Sequence, residues 1–180
     1  MKRIFQLAAA CMAAAAAAQT TATPRESLMH VSTSIHLVVH APYAETAPLF
    51  GPEGERAWVG PHWDPQFIYP QPARDVEGAV FTVRHGSVTG VWTNTLFDVD
   101  ARHFQYVCFL PDLMVTTIDV RFKPMDSNTT AVNLVFTRTA ITTEGNDAVK
   151  ALSERDRNAE KDFAHSIDKY LTGRKASARP

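Results

Sequence analysis

The chain has 180 residues, 45% of them apolar and 21% charged, with a formal net charge of −1. That is the composition of one globular domain, long enough to bury a core without a disulfide or structural metal. The near-neutral balance argues against a nucleic-acid partner, which wants a concentrated basic face.

Met1-Lys2-Arg3 is a short positive start, residues 4–18 are apolar and alanine-rich, and Ala16-Ala17-Ala18 before Gln19 is a small-residue cleavage site. This is the pattern of a secretory signal peptide over residues 1–18, and it predicts an exported, periplasmic or secreted, protein. The apolar stretch is too short and too rich in alanine for a comfortable membrane span. Cleavage removes Lys2, Arg3 and Cys11 and leaves Cys108 as a lone cysteine, which has no internal disulfide partner. A competing reading takes Leu7-Ala8-Ala9-Ala10-Cys11 as a lipobox, although its leucine lies one position too far upstream. Residues 19–33 are polar and read as a linker. The basic end, residues 173–180 with Arg174, Lys175 and Arg179, reads as a flexible tail.

From Ser34 the chain alternates, with Ile35, Leu37 and Val39 on one side and His36, Val38 and His40 on the other, which predicts a strand. Ala41-Pro42 ends it. Residues 43–50 suit a short helix with Pro42 near its first turn. Gly51-Pro52-Glu53-Gly54 breaks that helix, and residues 55–59 make a second helical piece. Strands are expected over 66–69, 79–85, 88–97, 103–110, 115–123 and 129–141, with connections short enough for antiparallel hairpins. Residues 144–172 then carry Val149, Leu152, Ala159, Phe163, Ile167 and Leu171 on one stripe of a long helix. Thr142 and Thr143 suit its start, and Gly173 its stop. The architecture is therefore α+β, a large curved sheet whose concave side receives a C-terminal helix.

Several of these segments carry a recognisable order. Ala41-Pro42, then Leu49-Phe50-x-Pro52-Glu53-Gly54-Glu55-Arg56-x-Trp58, then Trp63-Asp64-Pro65, resembles the START-like superfamily called SRPBCC. That group includes polyketide cyclase/dehydrase, lipid-transport and birch-pollen-allergen-like proteins. Val120-x-Phe122-x-Pro124 and Glu144-Gly145-Asn146 resemble it as well, so the likeness covers about residues 34–171. The resemblance implies a helix-grip domain over residues 34–172: a seven-stranded antiparallel sheet wrapped round a long C-terminal helix, with two short helices after the first strand. The resemblance also implies an apolar cavity between sheet and helix. The implied partner is a hydrophobic or amphipathic small molecule, and no cofactor is implied.

Local chemistry adds little certainty about the ligand. His36 and His40 sit about 13 Å apart on a strand and cannot share an ion. Gly86-Ser87-Val88-Thr89-Gly90 has its serine one position too early for a nucleophile elbow, and neither a P-loop nor a dinucleotide fingerprint is present. No histidine spacing suggests a metal. Trp58, Tyr69, Trp92 and Tyr106 are aromatics with polar handles, suited to a pocket wall or equally to core packing. His85 shares a face with Phe81 and Val83 if Phe81 points inward, which would place an imidazole in an apolar wall; its strand end would also admit solvent. Asp156 interrupts the helix stripe. Either it faces the cavity, or it is satisfied by a strand arginine, with Arg84, Arg121 and Arg138 all in reach. The candidate cavity set is thus Trp58, Tyr69, His85, Trp92, Tyr106 and Asp156. The leading function is ligand binding. The alternative is a cyclase, dehydratase or hydrolase using Asp156, His85 or Tyr106 as acid or base, and a co-chaperone-like interaction module is a third class.

Overall fold

The computed structural model describes residues 27–177. The expected signal peptide with Cys11, residues 19–26 of the expected linker, and residues 178–180 of the tail lie outside the described residues. In chain order the elements are β1 (His30–Val39), α1 (Tyr43–Thr46), a 3-10 turn (Ala47–Phe50), α2 (Pro52–Glu55), β2 (Gln66–Tyr69), β3 (Val80–His85), β4 (Val88–Asp98), β5 (His103–Leu110), β6 (Met114–Pro124), β7 (Thr130–Ala140), α3 (Thr143–Asn158) and α4 (Glu160–Ser177).

The seven strands form one sheet in the order β1-β7-β6-β5-β4-β3-β2, and every pairing is antiparallel. Strands β2 to β7 follow one another as a meander. Only β1 is out of sequence, and it joins β7 at the far edge. Strict alternation pins this arrangement. Along β7, Thr130, Val132, Leu134, Phe136, Arg138 and Ala140 are buried while their neighbours are partly exposed. A slip of one residue would turn that whole set outward. Between β3 and β4, Gly86 holds φ at 64°, the left-handed backbone a two-residue hairpin needs.

Strand β1 begins at His30, inside the stretch read as linker. The reason is Thr33, which points inward and is buried, so the apolar alternation was broken by a hydroxyl where a core residue was expected. The second helical piece also moved. The helix is α2, Pro52–Glu55, and residues 57–59 continue it only as turns. Pro52 suits the first helical turn. The rest of the cap comes from a distance: the Asp75 carboxylate accepts the Glu53 N–H at 2.9 Å and the Gly54 N–H at 3.3 Å.

The single long helix is two. Thr142 caps α3, its hydroxyl accepting the Gly145 N–H at 3.1 Å. The ladder then tightens at Ala159, whose N–H reaches back three residues to the Asp156 carbonyl at 3.1 Å, and α4 starts at the next residue. Gly173 does not stop the chain, because α4 runs through it to Ser177. A glycine permits a left-handed stop without imposing one. Helix α3 lies over β1 and β7, and α4 continues across β1. Val149, Ile167 and Leu171 are buried beneath them, with Phe50, Phe81, Phe104 and Phe122 filling the centre of the core.

Candidate functional site

One row of inward side chains crosses the concave face. Cross-strand pairing sets Arg138 beside Thr116, Thr116 beside Cys108, Cys108 beside Trp92, Trp92 beside Phe81, and Phe81 beside Phe67. The row is polar at the β7 end and aromatic at the β2 end. Arg138, Thr116, Cys108, Trp92 and Phe81 are all buried.

At the polar end Arg138 is ion-paired through Nη1 with Asp156 Oδ2, their side chains 5% and 3% exposed. Thr33 Oγ1 donates to the same oxygen at 3.4 Å. The guanidinium lies over the Phe136 ring, 5.0 Å from its centroid. Burial lowers the Arg138 pKa, and the adjacent Asp156 carboxylate opposes that shift. Among the three arginines in reach of Asp156, the inward register of β7 selects Arg138. Arg84 is exposed, and Arg121 is exposed and bonded to Asp119 at 3.1 Å. Two buried polar atoms here, Arg138 Nε and Ser153 Oγ, have no partner among the described residues. Burial pushes the Cys108 thiol up to about 12, so it is not a thiolate nucleophile near neutral pH.

At the aromatic end Trp92 stacks on Phe81 at 5.9 Å, meets Trp63 edge-on at 5.4 Å, and lies 5.9 Å from the His85 ring. Its indole Nε1 is buried and unpartnered. Gly90 packs tightly beside it: an added Cβ would meet Leu110 Cδ2 at 2.9 Å and His85 Cδ2 and Trp92 Nε1 at 3.2 Å each. His85 does share the face of Phe81 and Val83, but its ring is exposed at the strand end. Partial desolvation, then the positive charges of Arg155 and His62, hold its pKa below the ordinary imidazole value.

The other expected residues sit elsewhere. Trp58 and Tyr106 are buried, but both polar handles are engaged with the end of the 3-10 turn. Trp58 Nε1 donates to the Leu49 carbonyl at 2.7 Å, and the Tyr106 hydroxyl donates to the Phe50 carbonyl. They satisfy carbonyls that a helix end leaves without partners. Burial, then the charges of Glu55 and Asp75, raise the Tyr106 pKa well above that of a free phenol. Tyr69 is 60% exposed on the edge strand, where a bulge between Phe67 and Tyr69 shifts the register, and it stands apart from the rest. The structure therefore brings His85 and Trp92 together, sets Asp156 over the opposite end of the same row, and places Trp58 and Tyr106 under the short helices.

Sequence reasoning missed Thr116, Ser153, Arg155 and the acid pair Glu55–Asp75. Desolvation, then the Asp75 charge, raises the Glu55 pKa well above the usual carboxylate range, and burial raises that of Asp75. Strand register could have flagged Thr116, and helical spacing between Val149 and Asp156 could have flagged Ser153; nothing local marks the others. Outside the core, an open groove of about 640 Å³ runs between Ala57, Trp58 and the α4 residues Ser166, Lys169, Tyr170 and Arg174. Among the described residues no cluster of three or more His, Cys, Asp or Glu could hold a metal, and no helix is long and apolar enough to cross a membrane.

The geometry can be set beside known proteins. No family model matches the chain, and no curated protein matches it. Solved structures do. The norcoclaurine synthase of Thalictrum flavum superposes with a TM-score of 0.60 at 10% identity, covering 96% of this chain and 99% of that one. A point mutant of that enzyme gives 0.58 at 16% identity over 83% of this chain and 98% of that chain. The Mll3558 protein of Rhizobium loti gives 0.56 at 18% identity, with 78% of this chain and 99% of that chain covered. The chain has the helix-grip fold of the START-like, birch-pollen-allergen-like SRPBCC proteins, as its motifs suggested. At these identities the likeness defines the fold and leaves the activity to the site.

Proposed function

We propose that the protein binds a hydrophobic or amphipathic small molecule on the concave face of the sheet, beneath α3 and α4. The observation that carries this reading is the row from Arg138 to Phe67. The row holds two buried donors, Trp92 Nε1 at its aromatic end and Arg138 Nε at its polar end, that have no protein partner among the described residues. A buried donor without a partner costs about 1–3 kcal/mol, and a ligand acceptor bonded to it would relieve that cost. The fold supports the reading by likeness: one norcoclaurine synthase structure holds dopamine and hydroxybenzaldehyde, and that enzyme shares this architecture.

Catalysis is the second reading, and the same neighbour favours it. Against it, two of its three acid–base candidates are engaged: Asp156 with Arg138, and the Tyr106 hydroxyl with the Phe50 carbonyl. His85 alone keeps an exposed ring, which argues for binding over a paired acid and base. Native mass spectrometry of protein purified from its producing cell, followed by organic extraction, tests the binding reading. An adduct released by solvent is expected. Protein that carries no adduct and takes up no naphthalene-sized probe would remove it. Export completes the proposal. N-terminal sequencing of the cellular protein should begin at Gln19, and a lipid-modified Cys11 as first residue would overturn that part.

A further inference from the structure

The geometry points to a second ligand site, separate from the concave face: the open groove of about 640 Å³ between α4 and the short helices takes a lipophilic anion, such as a carboxylate or sulfonate, with its charge between Lys169 and Arg174 and its apolar body against Trp58 and Ala57. The groove is built on one stripe of α4. Ser166, Lys169, Tyr170, Gly173, Arg174 and Ser177 line it, and their spacing of threes and fours puts them on a single helical face. At about 100° per residue, Lys169 and Arg174 project roughly 140° apart, with Ser166, Gly173 and Ser177 between them. Small residues form the floor, and a cation stands on each side. At Gly173 an added Cβ would meet nothing within 4 Å, so the floor is open where a larger side chain would fill it. Opposite the stripe, Trp58 is the partition between groove and core. Its ring lines the groove and packs inward against Phe50 at 5.9 Å and Phe163 at 5.4 Å. Its indole N–H is held by the Leu49 carbonyl at 2.7 Å, so Trp58 offers a ligand ring surface and no donor.

The unpaired charges set the sign of the ligand. Neither Lys169 nor Arg174 makes an ion pair among the described residues. The Arg174 guanidinium has the Tyr170 ring as its neighbour, 5.9 Å to the centroid, and a ring face attracts a cation without neutralising it. The acids stand at the other end. A narrower extension of the groove, also bordered by Tyr170 and Arg174, is lined by Glu45 and Glu53, and Glu53 is taken by Arg56 at 2.9 Å. An anion therefore belongs at the wide end, where two cations and no carboxylate line the wall. The volume lies in the range of small-molecule sites, about 300–1,000 Å³, and an anion with an apolar body complements both walls at once. A bilayer presents its head groups in a plane, whereas this groove is recessed between α4 and the short helices, so the fit is to a single dissolved molecule.

A fluorescence titration of the full chain with anilinonaphthalene sulfonate and its uncharged parent, phenylnaphthylamine, tests the site. The sulfonate should bind. Lys169→Gln and Arg174→Gln should each weaken it about three-fold and the double variant about ten-fold, the scale of exposed charge contacts, while the parent's affinity stays the same. Both side chains are exposed, so neither change disturbs the core. Gly173→Leu puts a side chain into the open floor and should abolish sulfonate binding, with thermal melts showing that the variant is folded. Equal sulfonate affinity in wild type and the double variant overturns the charge assignment and the inference with it, as does failure of the sulfonate to bind. Sulfonate binding that responds to the charge variants but survives in folded Gly173→Leu puts the anion outside the groove and overturns the site. Co-sedimentation with phosphatidylglycerol vesicles that is lost in the double variant overturns the dissolved-molecule assignment in favour of a membrane surface. None of these results bears on the concave face: a ligand extracted from the cellular protein and taken up equally by Gly173→Leu belongs there.

Discussion

A carboxylate in the middle of an apolar helix stripe has two fates, and at Asp156 the partner is visible: Arg138 Nη1, with Thr33 adding a weaker bond. Both ions are nearly removed from water, so neither tolerates the loss of the other. Asp156→Asn should therefore cost roughly 3–5 kcal/mol in a urea titration, because it leaves a guanidinium buried without its counter-charge. Replacing the pair together, Arg138→Met with Asp156→Leu, should recover most of that loss, since well-packed apolar substitutes for a buried ion pair are often neutral. A single mutant within 1 kcal/mol of wild type would show that water reaches the pair. The sequence displayed the anomaly at Asp156 and offered three arginines. It could not choose among them, because the choice depends on strand phase, and strand phase depends on which partner each strand meets.

At the scale of elements, the strands were legible because alternation is local, and their ends fell within a residue or two of expectation wherever core residues were apolar. Errors occurred where a distant side chain did the work: Thr33 facing Asp156 hid the start of β1, and Asp75 capped α2 from a loop. The break between α3 and α4 was hidden because Ala159 is buried and apolar, so the stripe passes through it without a mark. Packing refines two expectations. Phe163 is half-buried and meets Trp58 edge-on at 5.4 Å, so Phe163→Ala should cost about 1.5–2.5 kcal/mol by denaturant titration, below the 3–5 kcal/mol of a fully buried phenylalanine. The two glycines of the C-terminal helices should respond with opposite signs. At Gly145 an added Cβ would meet the Leu113 carbonyl oxygen at 2.0 Å, backbone that also accepts the Ile141 N–H, so Gly145→Ala should destabilise by roughly 1–3 kcal/mol. At Gly173 a Cβ meets open space inside a helix, and Gly173→Ala should stabilise by about 0.5–1 kcal/mol. Thermal melts of the pair suffice, and a loss at Gly173 would mean that α4 does not persist past it in solution.

Across the whole molecule, the sheet grips the C-terminal helices on one side, and the short-helix segment covers the rest of the concave face. That segment is fastened from within by Trp58 on Leu49, and from outside by Tyr106 on Phe50 and Asp75 on the start of α2. Glu55 lies within this fastening, with Asp75 and Tyr106 as its charged and titratable neighbours. Its carboxyl is raised well above the usual range first by desolvation and then by Asp75, so the folded state holds a proton that the unfolded chain gives up at about pH 4.3. Below that pH both states are protonated, and the carboxyl is uncharged in each. As pH rises, the unfolded chain ionises first, so folding must bind a proton that is increasingly scarce, and stability falls until the folded carboxyl itself ionises. Glu55→Gln keeps the volume and removes the titration. Its melting temperature should match wild type near pH 4, exceed it increasingly toward neutral pH, and then hold a constant advantage once the folded Glu55 has ionised. Paired melts of the two proteins across that range read the titration of Glu55 together with its coupling to Asp75. An advantage for wild type at neutral pH would show that Glu55 is ionised and favourably paired in the folded protein, and that the segment is held by its charge.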